Sequence, residues 1–307
     1  MKINLDKYNF KFKVINYLIM SGAEQNKFEW RTQSVKGLIR FWFRWAGGSE
    51  ENEQKIFGGL GEQANASKFK LICSPIKFPT SITDNTQDIY RRLSFGEQYF
   101  GYPFRFRSVQ REVLKIYNIL QISIIFYPAA SEKDKKFALS SLWMAVNLGN
   151  FGTRARRGFG SLICIEEEPV NPYNILFVNK ESNERRNWYQ VNLRHIQNIF
   201  KSQLNFEVYL INKKLDEIGR IYKEYRIREY STPDRKIFGL PIKGQSGLKP
   251  ERFASQFIIK PLDKNNCLIV LNTNPILPKE WKNMGKNYFL KEIRGFINEL
   301  NPTKIYP

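Results

Sequence analysis

The hydrophobic period of the first half of the chain switches between two and about 3.6 residues in a fixed order, and few folds share that order. Tyr8, Phe10, Phe12 and Val14 alternate with polar residues, which predicts a strand with one buried face. Over residues 32–46 the period is helical, with Val35, Leu38, Ile39, Trp42 and Ala46 on one side. Alternation returns at Phe69, Leu71 and Cys73, and residues 119–127 (ILQISIIFY) read as a β-rich strand. Residues 135–148 have helical composition and stop at Gly149, which suits the position just past a helix end. Residues 161–165 form a short strand before an acidic break at Glu166, Glu167 and Glu168 and then Pro169. The order β-α-β-β-α-β is that of the split βαβ unit, a four-stranded antiparallel sheet with helices on one face.

The second half starts with a change of composition. Residues 166–174 (EEEPVNPYN) hold two prolines, which places a domain boundary between residues 168 and 169 and gives domains at 1–168 and 169–307. A helical region over about 192–229, strands at 254–260 and Cys267–Asn272, and a last helix over about 279–300 follow. One echo links the halves. Lys55-Ile56-Phe57-Gly58 and then Ala66-Ser67-Lys68-Phe69 follow a helix in the first. Lys236-Ile237-Phe238-Gly239 and then Ala254-Ser255-Gln256-Phe257 follow one in the second. A duplicated fold is expected: an α+β chain of two tandem ferredoxin-like (RRM-like) domains.

Charge narrows the partners. The 307 residues carry 49 Lys+Arg against 29 Asp+Glu, a net +20, in a chain that is 15% aromatic and therefore able to build cores. Folded, basic and aromatic surfaces point to nucleic acid. No apolar run approaches the ~20 residues of a bilayer span, and the N-terminus (MKINLDKYNFKFK) has no signal-peptide pattern. Cys73, Cys164 and Cys267 lie far apart in apolar runs, which suits buried thiols rather than zinc or a disulfide framework. A cytoplasmic setting without membrane contact is expected.

Two segments carry candidate binding chemistry. In the first, residues 149–161 (GNFGTRARRGFGS), Gly152 and Gly158 free the backbone to approach an anion. Arg154, Arg156 and Arg157 offer planar forks suited to phosphate, and Phe159 offers a ring for a base or an anchor for the loop. In the second, residues 31–45, Lys36, Arg40 and Arg44 recur every four residues as a basic stripe beside the apolar face. Arg31 and Trp42 belong to the same element, and Thr32 or Ser34 is expected to cap its start. Residues 99–107 (YFGYPFRFR) interleave bases and rings in the manner of single-strand binders, or of ordinary packing. Loop and stripe are expected to converge on one sugar-phosphate strand of nucleic acid. Replacing Arg154, Arg156 and Arg157 together is then expected to flatten the salt dependence of binding.

Catalytic patterns are sparse. The sole histidine, His195, lies in an apparent helix with no nearby partner in sequence, so a surface or packing role is expected of it. Gly59-Leu60-Gly61-Glu62-Gln63-Ala64 matches GxGxxA, but no strand leads into it. No phosphate-loop motif or metal-ligand spacing is present, so no cofactor, metal or catalytic residue is expected.

The helix Ser34-Val35-Lys36-Gly37-Leu38-Ile39-Arg40-Phe41-Trp42-Phe43-Arg44, the motif Ile56-Phe57-Gly58 and the loop Gly152-Thr153-Arg154-Ala155-Arg156-Arg157-Gly158-Phe159-Gly160-Ser161 together resemble the RAMP superfamily of CRISPR proteins, in its type III-B (Cmr) branch. Ile237-Phe238-Gly239 and Arg252-Phe253-Ala254-Ser255 extend the resemblance over most of the chain. It implies two ferredoxin-like domains and a non-catalytic RNA-binding subunit of a multi-subunit effector complex in antiviral defence. The implied partners are guide RNA (its 3′ region), target RNA and the other Cmr subunits. Lys36, Arg40, Arg44, Arg154, Arg156 and Arg157 become the implied RNA contacts. Asn150 stands where many relatives carry glycine, which stiffens the start of the loop. The alternative within the superfamily is a metal-independent endoribonuclease that processes CRISPR repeat RNA, for which His195 would be the base.

Overall fold

Residues 5–59, 65–77, 83–106, 110–229, 238, 255–275 and 285–307 are described by a computed structural model. Its first half holds β1 (Lys7–Val14), α1 (Thr32–Trp45), α2 (Glu50–Phe57) and β2 (Phe69–Lys77). An insertion follows, made of β3 (Thr83–Asn85), α3 (Thr86–Arg92), α4 (Phe95–Phe100), a 3-10 turn (Tyr102–Arg105) and β4 (Glu112–Leu114). β5 (Ile119–Phe126), α5 (Glu132–Asn147) and β6 (Leu162–Glu168) complete the unit. Its antiparallel sheet runs β2-β5-β1-β6. The second half holds α6 (Ser182–Phe200), β7 (Phe206–Ile211), α7 (Leu215–Glu229), β8 (Phe257–Pro261), β9 (Cys267–Asn272), α8 (Lys286–Glu299) and β10 (Thr303–Tyr306). Its sheet runs β10-β7-β9-β8 and is also antiparallel. Numbered within each half, both sheets read 4-1-3-2, the ferredoxin-like order, so the molecule is two tandem copies of that fold.

The sequence echo is a structural repeat. Ser67 donates its hydroxyl to the Phe69 carbonyl (2.9 Å) at the start of β2, and Ser255 does the same to Phe257 (3.1 Å) at the start of β8. Phe57 and Phe238 are both buried, while Ile237, Gly239 and Ala254 lie outside the described residues.

The two sheets are buried differently. On β1 the rings of Tyr8, Phe10 and Phe12 face the core with α1 and α5, while Asn9, Lys11 and Lys13 face outward across from Ser123, Gln121 and Ile119. β9 is buried at every position. Tyr209, Ile211, Phe257, Ile259, Ile269 and Leu271 of the second sheet pack with α7 and α8. Phe206, Val208, Ile258, Leu268 and Val270 instead join the first core, where the Phe206 ring meets Trp42 of α1 at 5.7 Å. The second sheet is therefore sandwiched, and the two ferredoxin-like units share a core.

Three expectations change. The helical region at 192–229 is two helices with β7 between them: both faces of β7 are covered, so its sequence FEVYLI shows no alternation. The acidic break at 166–168 is the end of β6, where Glu166 pairs with Lys11 of β1 at 2.5 Å. Gly149 follows the end of α5, but it lacks a left-handed φ. Its backbone lies against the Trp42 indole, where a β-carbon would collide.

Candidate nucleic-acid interface

The glycine-rich loop begins where α5 ends and lies in the seam between the two units. Gly152 has φ +77°, and a β-carbon there would run into the carbonyl oxygen of Ile19. That carbonyl accepts a hydrogen bond from Thr153 N (2.7 Å), Gly160 N donates to Tyr17 O (2.8 Å) and Phe151 N donates to Gly160 O (2.9 Å). These amides are thus engaged within the fold. Asn150, nearly fully buried, donates to Ala155 O (2.5 Å) and across the seam to Ile259 O (2.7 Å). Ile259 N returns a bond to Arg156 O at 3.2 Å, and Asn16 donates to the carbonyl of the buried Gly158 at 2.9 Å. The ammonium of Lys260 on β8 is fully buried and donates to Gly149 O, Ser161 Oγ and Leu162 O at 2.9–3.0 Å. Burial pushes its pKa down to about 7.

Inside this seam the loop arginines lose the role their charge suggested. Arg154 donates to Phe100 O (2.7 Å from Nε), Arg156 to Ser255 O and Arg157 to Phe238 O. Arg157 is 3% exposed, with its guanidinium over the rings of Tyr222 (5.0 Å) and Phe257 (5.1 Å). Arg156 lies over Phe41 and Trp45. Burial, reinforced by mutual repulsion, lowers the pKa of Arg154 and of Arg156 to about 10, and burial lowers that of Arg157 as well. Among the described residues none of the three has a carboxylate partner. Phe159 is fully buried against Phe104 (5.1 Å) and Trp42 is fully buried in the first core, so neither has a face for a base. Arg157, Phe159 and Trp42 are buried fixtures of the seam and core, a correction to the expected RNA contacts, while Arg154 and Arg156 are partly exposed and bonded to main-chain carbonyls.

The basic stripe lies elsewhere on α1. Arg40 Nε and Arg44 Nη1 both bond to Glu53 Oε1 of α2 at 2.8 Å, and Glu53 is 5% exposed. Lys36 is half-buried with its ammonium 5.4 Å from the Phe69 ring, and burial lowers its pKa. Arg31 is the exposed N-cap residue. It makes no side-chain cap, so Thr32 and Ser34 do not cap the helix as expected, and no acidic residue stands in the first turn. Arg40 and Arg44 line a pocket with Glu50 and Glu53 that holds no residue of the loop, so stripe and loop do not form a single cradle.

What the loop shares with α1 is a groove of about 440 Å³. Ser34, Gly37, Leu38 and Phe41 form one wall, and Gly152, Thr153 and Ala155 the other. Arg111 from the insertion closes one side, donating to Thr153 Oγ1 at 3.2 Å. No carboxylate lines the groove, and among the described residues Arg111 makes no ion pair, so the groove carries net positive charge. Gly37 is exposed with open space where its β-carbon would be, at a helix position where glycine costs about 1 kcal/mol relative to alanine. Nothing inside the fold asks for that glycine; a backbone laid close along the helix would. Arg111 lies beyond the YFGYPFRFR segment and Gly37 inside a helical pattern, so neither stands out in the sequence.

The remaining candidates do not line this groove. His195 Nε2 is 2.6 Å from Tyr173 O, in a pocket with Glu132 and Lys136 that is separate from the groove. The GxGxxA match lies mostly outside the described residues. The three cysteines are free thiols. Among the described residues no His, Cys, Asp and Glu gather into a metal-binding group, and no helix is long and apolar enough to cross a membrane.

Two ferredoxin-like units joined through a glycine-rich loop define a RAMP-type protein, and the chain belongs to the RAMP superfamily, whose model matches residues 11–163. Within it the chain is similar to two proteins of Pyrococcus furiosus. CRISPR system Cmr subunit Cmr1-2 is 30% identical over 173 residues, 50% of this chain and 92% of the relative. Cmr subunit Cmr1-1 is 26% identical over 244 residues, 69% and 70% of the two chains. The fold matches the crystal structure of apo Cmr1 from Pyrococcus furiosus with a TM-score of 0.70 at 20% identity, covering 98% of this chain and 99% of that one. It also matches a chain of the type III-B Cmr-beta complex bound to cognate target RNA, at a TM-score of 0.56 and 13% identity, covering 95% and 100%.

Proposed function

We propose that this chain is a non-catalytic RNA-binding subunit of a type III-B CRISPR effector complex, and that the groove between α1 and the glycine-rich loop holds a single ribose-phosphate strand. That strand is the 3′ region of the guide RNA or the target RNA paired with it, and the partners are the other subunits of the complex. The similarity to Cmr1 subunits and to a chain from a complex bound to target RNA supports the setting. The observation that carries the RNA reading is the bare helical backbone at Gly37, facing a carboxylate-free groove closed by Arg111. Sequence specificity then resides in base pairing between guide and target, and the protein holds the backbone.

The experiment is anisotropy of a labelled single-stranded RNA titrated with the full chain at several salt concentrations. Affinity is expected to fall with salt, with a slope near −0.7 per phosphate contacted. A leucine at position 37 is expected to weaken binding at least tenfold while the fold persists, because its side chain enters the groove. Unchanged affinity in that variant removes the groove from the site. Repeat RNA is expected to stay intact in the same tubes. Discrete cleavage abolished by His195→Ala would instead establish the endoribonuclease.

A further inference from the structure

The insertion between β2 and β5 carries one segment whose chemistry the fold does not use up. In Phe100-Gly101-Tyr102-Pro103-Phe104-Arg105-Phe106, Phe100 and Phe104 turn inward and are buried, Phe104 against Phe159 of the glycine-rich loop. Tyr102 and Arg105 turn outward and are exposed. The Arg105 guanidinium lies 4.8 Å from the centre of the Tyr102 ring and 5.1 Å from that of Phe106, and the two rings meet edge to face at 5.5 Å. Among the described residues Arg105 makes no ion pair. The segment is tied to the glycine-rich loop: Phe100 O accepts from Arg154, and Phe104 packs on Phe159. Tyr102, 40% exposed, and a cation set against two rings thus project from a short 3-10 turn whose Phe104 packs on the glycine-rich loop.

From this geometry we infer that Tyr102, Arg105 and Phe106 form a stacking platform for an unpaired nucleobase of the strand that occupies the groove. The inference rests on the proposed RNA-binding role and deepens it. A flat π surface accepts any base, and the adjoining guanidinium neutralises that nucleotide's phosphate, so the platform adds affinity without sequence preference. Phe95 and Tyr117 are also exposed beside cations, but Tyr102 lies on the segment whose Phe104 packs on the glycine-rich loop, whereas Trp42 and Phe159 are buried. An RNA strand fits better than an acidic protein surface because the neighbouring groove has positive charge, no carboxylate and a helix face bared for a narrow backbone.

The test compares two strands of equal length, an oligoadenylate carrying one 2-aminopurine and an abasic ribose-phosphate oligomer. Tyr102→Ala is expected to weaken oligoadenylate binding about tenfold, to leave the abasic strand unaffected and to abolish quenching of 2-aminopurine. Tyr102→Trp is expected to restore both signals, which a merely structural loss would not allow. Equal losses on both strands, or no loss on either, overturn the platform. If Tyr102 variants leave RNA binding intact and instead lose another Cmr subunit in reconstitution, the surface is a protein contact and the inference is wrong. Wild-type protein that binds neither strand removes the groove and the platform together. Groove-sensitive binding with Tyr102 variants unchanged removes the platform alone.

Discussion

Arg44 and Arg157 are the same residue in opposite physical situations. On α1 the Arg44 guanidinium is in contact with water and shares the Glu53 carboxylate with Arg40. In the seam the Arg157 guanidinium is buried between two rings and bonded to a main-chain carbonyl. The first remains available to a phosphate for the modest cost of loosening a surface ion pair. The second has given up its hydration for a fixed place between two domains and cannot reach a ligand without unfolding the seam. A basic motif therefore indicates where a charge is, and only its acceptors indicate what it does. The two sheets differ in the same way, since the alternation of β1 leaves an outer, partly exposed face while β9, buried at every position, is closed in by the neighbouring unit.

The sharpest way to break the comparison is to remove Arg157. Arg157→Ala leaves the Phe238 carbonyl without this donor and a void against Tyr222 and Phe257, so chemical denaturation is expected to show a loss of about 2–4 kcal/mol. Arg157→Met refills the volume without a buried charge and is expected to recover at least half of that loss. Below the unfolding transition both variants are expected to bind RNA with the wild-type salt slope. A flattened slope in a fully folded Arg157→Met protein would return this arginine to the RNA site.

Lys260 sharpens the comparison through pH. Its folded-state pKa of about 7 lies below the value of about 10.4 it has in an unfolded chain. Between those values the unfolded chain holds the proton that the native state has released, so stability rises with pH across this window. Below about pH 7 both states are protonated, and the burial cost is constant. From pH 7 to 9 the contribution is expected to reach about 2 kcal/mol. In Lys260→Met, denaturation curves at the two pH values are expected to lose that difference, whatever the absolute stability. A slope that survives the substitution places the titrating group elsewhere.

Much of the fold was legible because burial writes itself into period. β1 alternates and β9 does not, and Ser67 and Ser255 mark equivalent strand starts with the same hydrogen bond. β7 was not legible. It is covered on both faces, and its Glu207 is held by Arg294 and Lys304 from the far end of the chain, so its local sequence mimics a stretch of helix. The site was half legible. Residues 31–45 and 149–161 do meet, at the groove, but Arg154, Arg157 and Arg156 are bonded to the carbonyls of Phe100, Phe238 and Ser255, and Arg157 is buried. Acceptors that distant in sequence leave no local trace.

Gly37 separates stability from binding. With open space around it, Gly37→Ala is expected to raise stability by up to about 1 kcal/mol through helix propensity. It is also expected to weaken RNA binding, since a methyl group stands where the backbone is bare. Tighter or equal binding in the stabilised variant means that the strand does not lie against this turn of α1.

The smallest effect expected is that of Arg44→Ala. Arg40 still bonds to Glu53 Oε1, so the nearly buried carboxylate keeps a cation and stability should change by no more than about 0.5 kcal/mol. The salt slope for RNA should hardly move, because Arg44 is held by Glu53 in a separate pocket and does not line the groove. Removing Arg40 as well strands Glu53 without either partner, and the double variant is expected to cost about 1–3 kcal/mol, more than the sum of the single losses. That non-additivity in a double-mutant cycle, read by denaturation, marks the stripe as an ion-paired strut. Additive losses accompanied by a flatter salt slope would make it a phosphate contact, and the water-facing arginines would then take over the part that the buried ones cannot play.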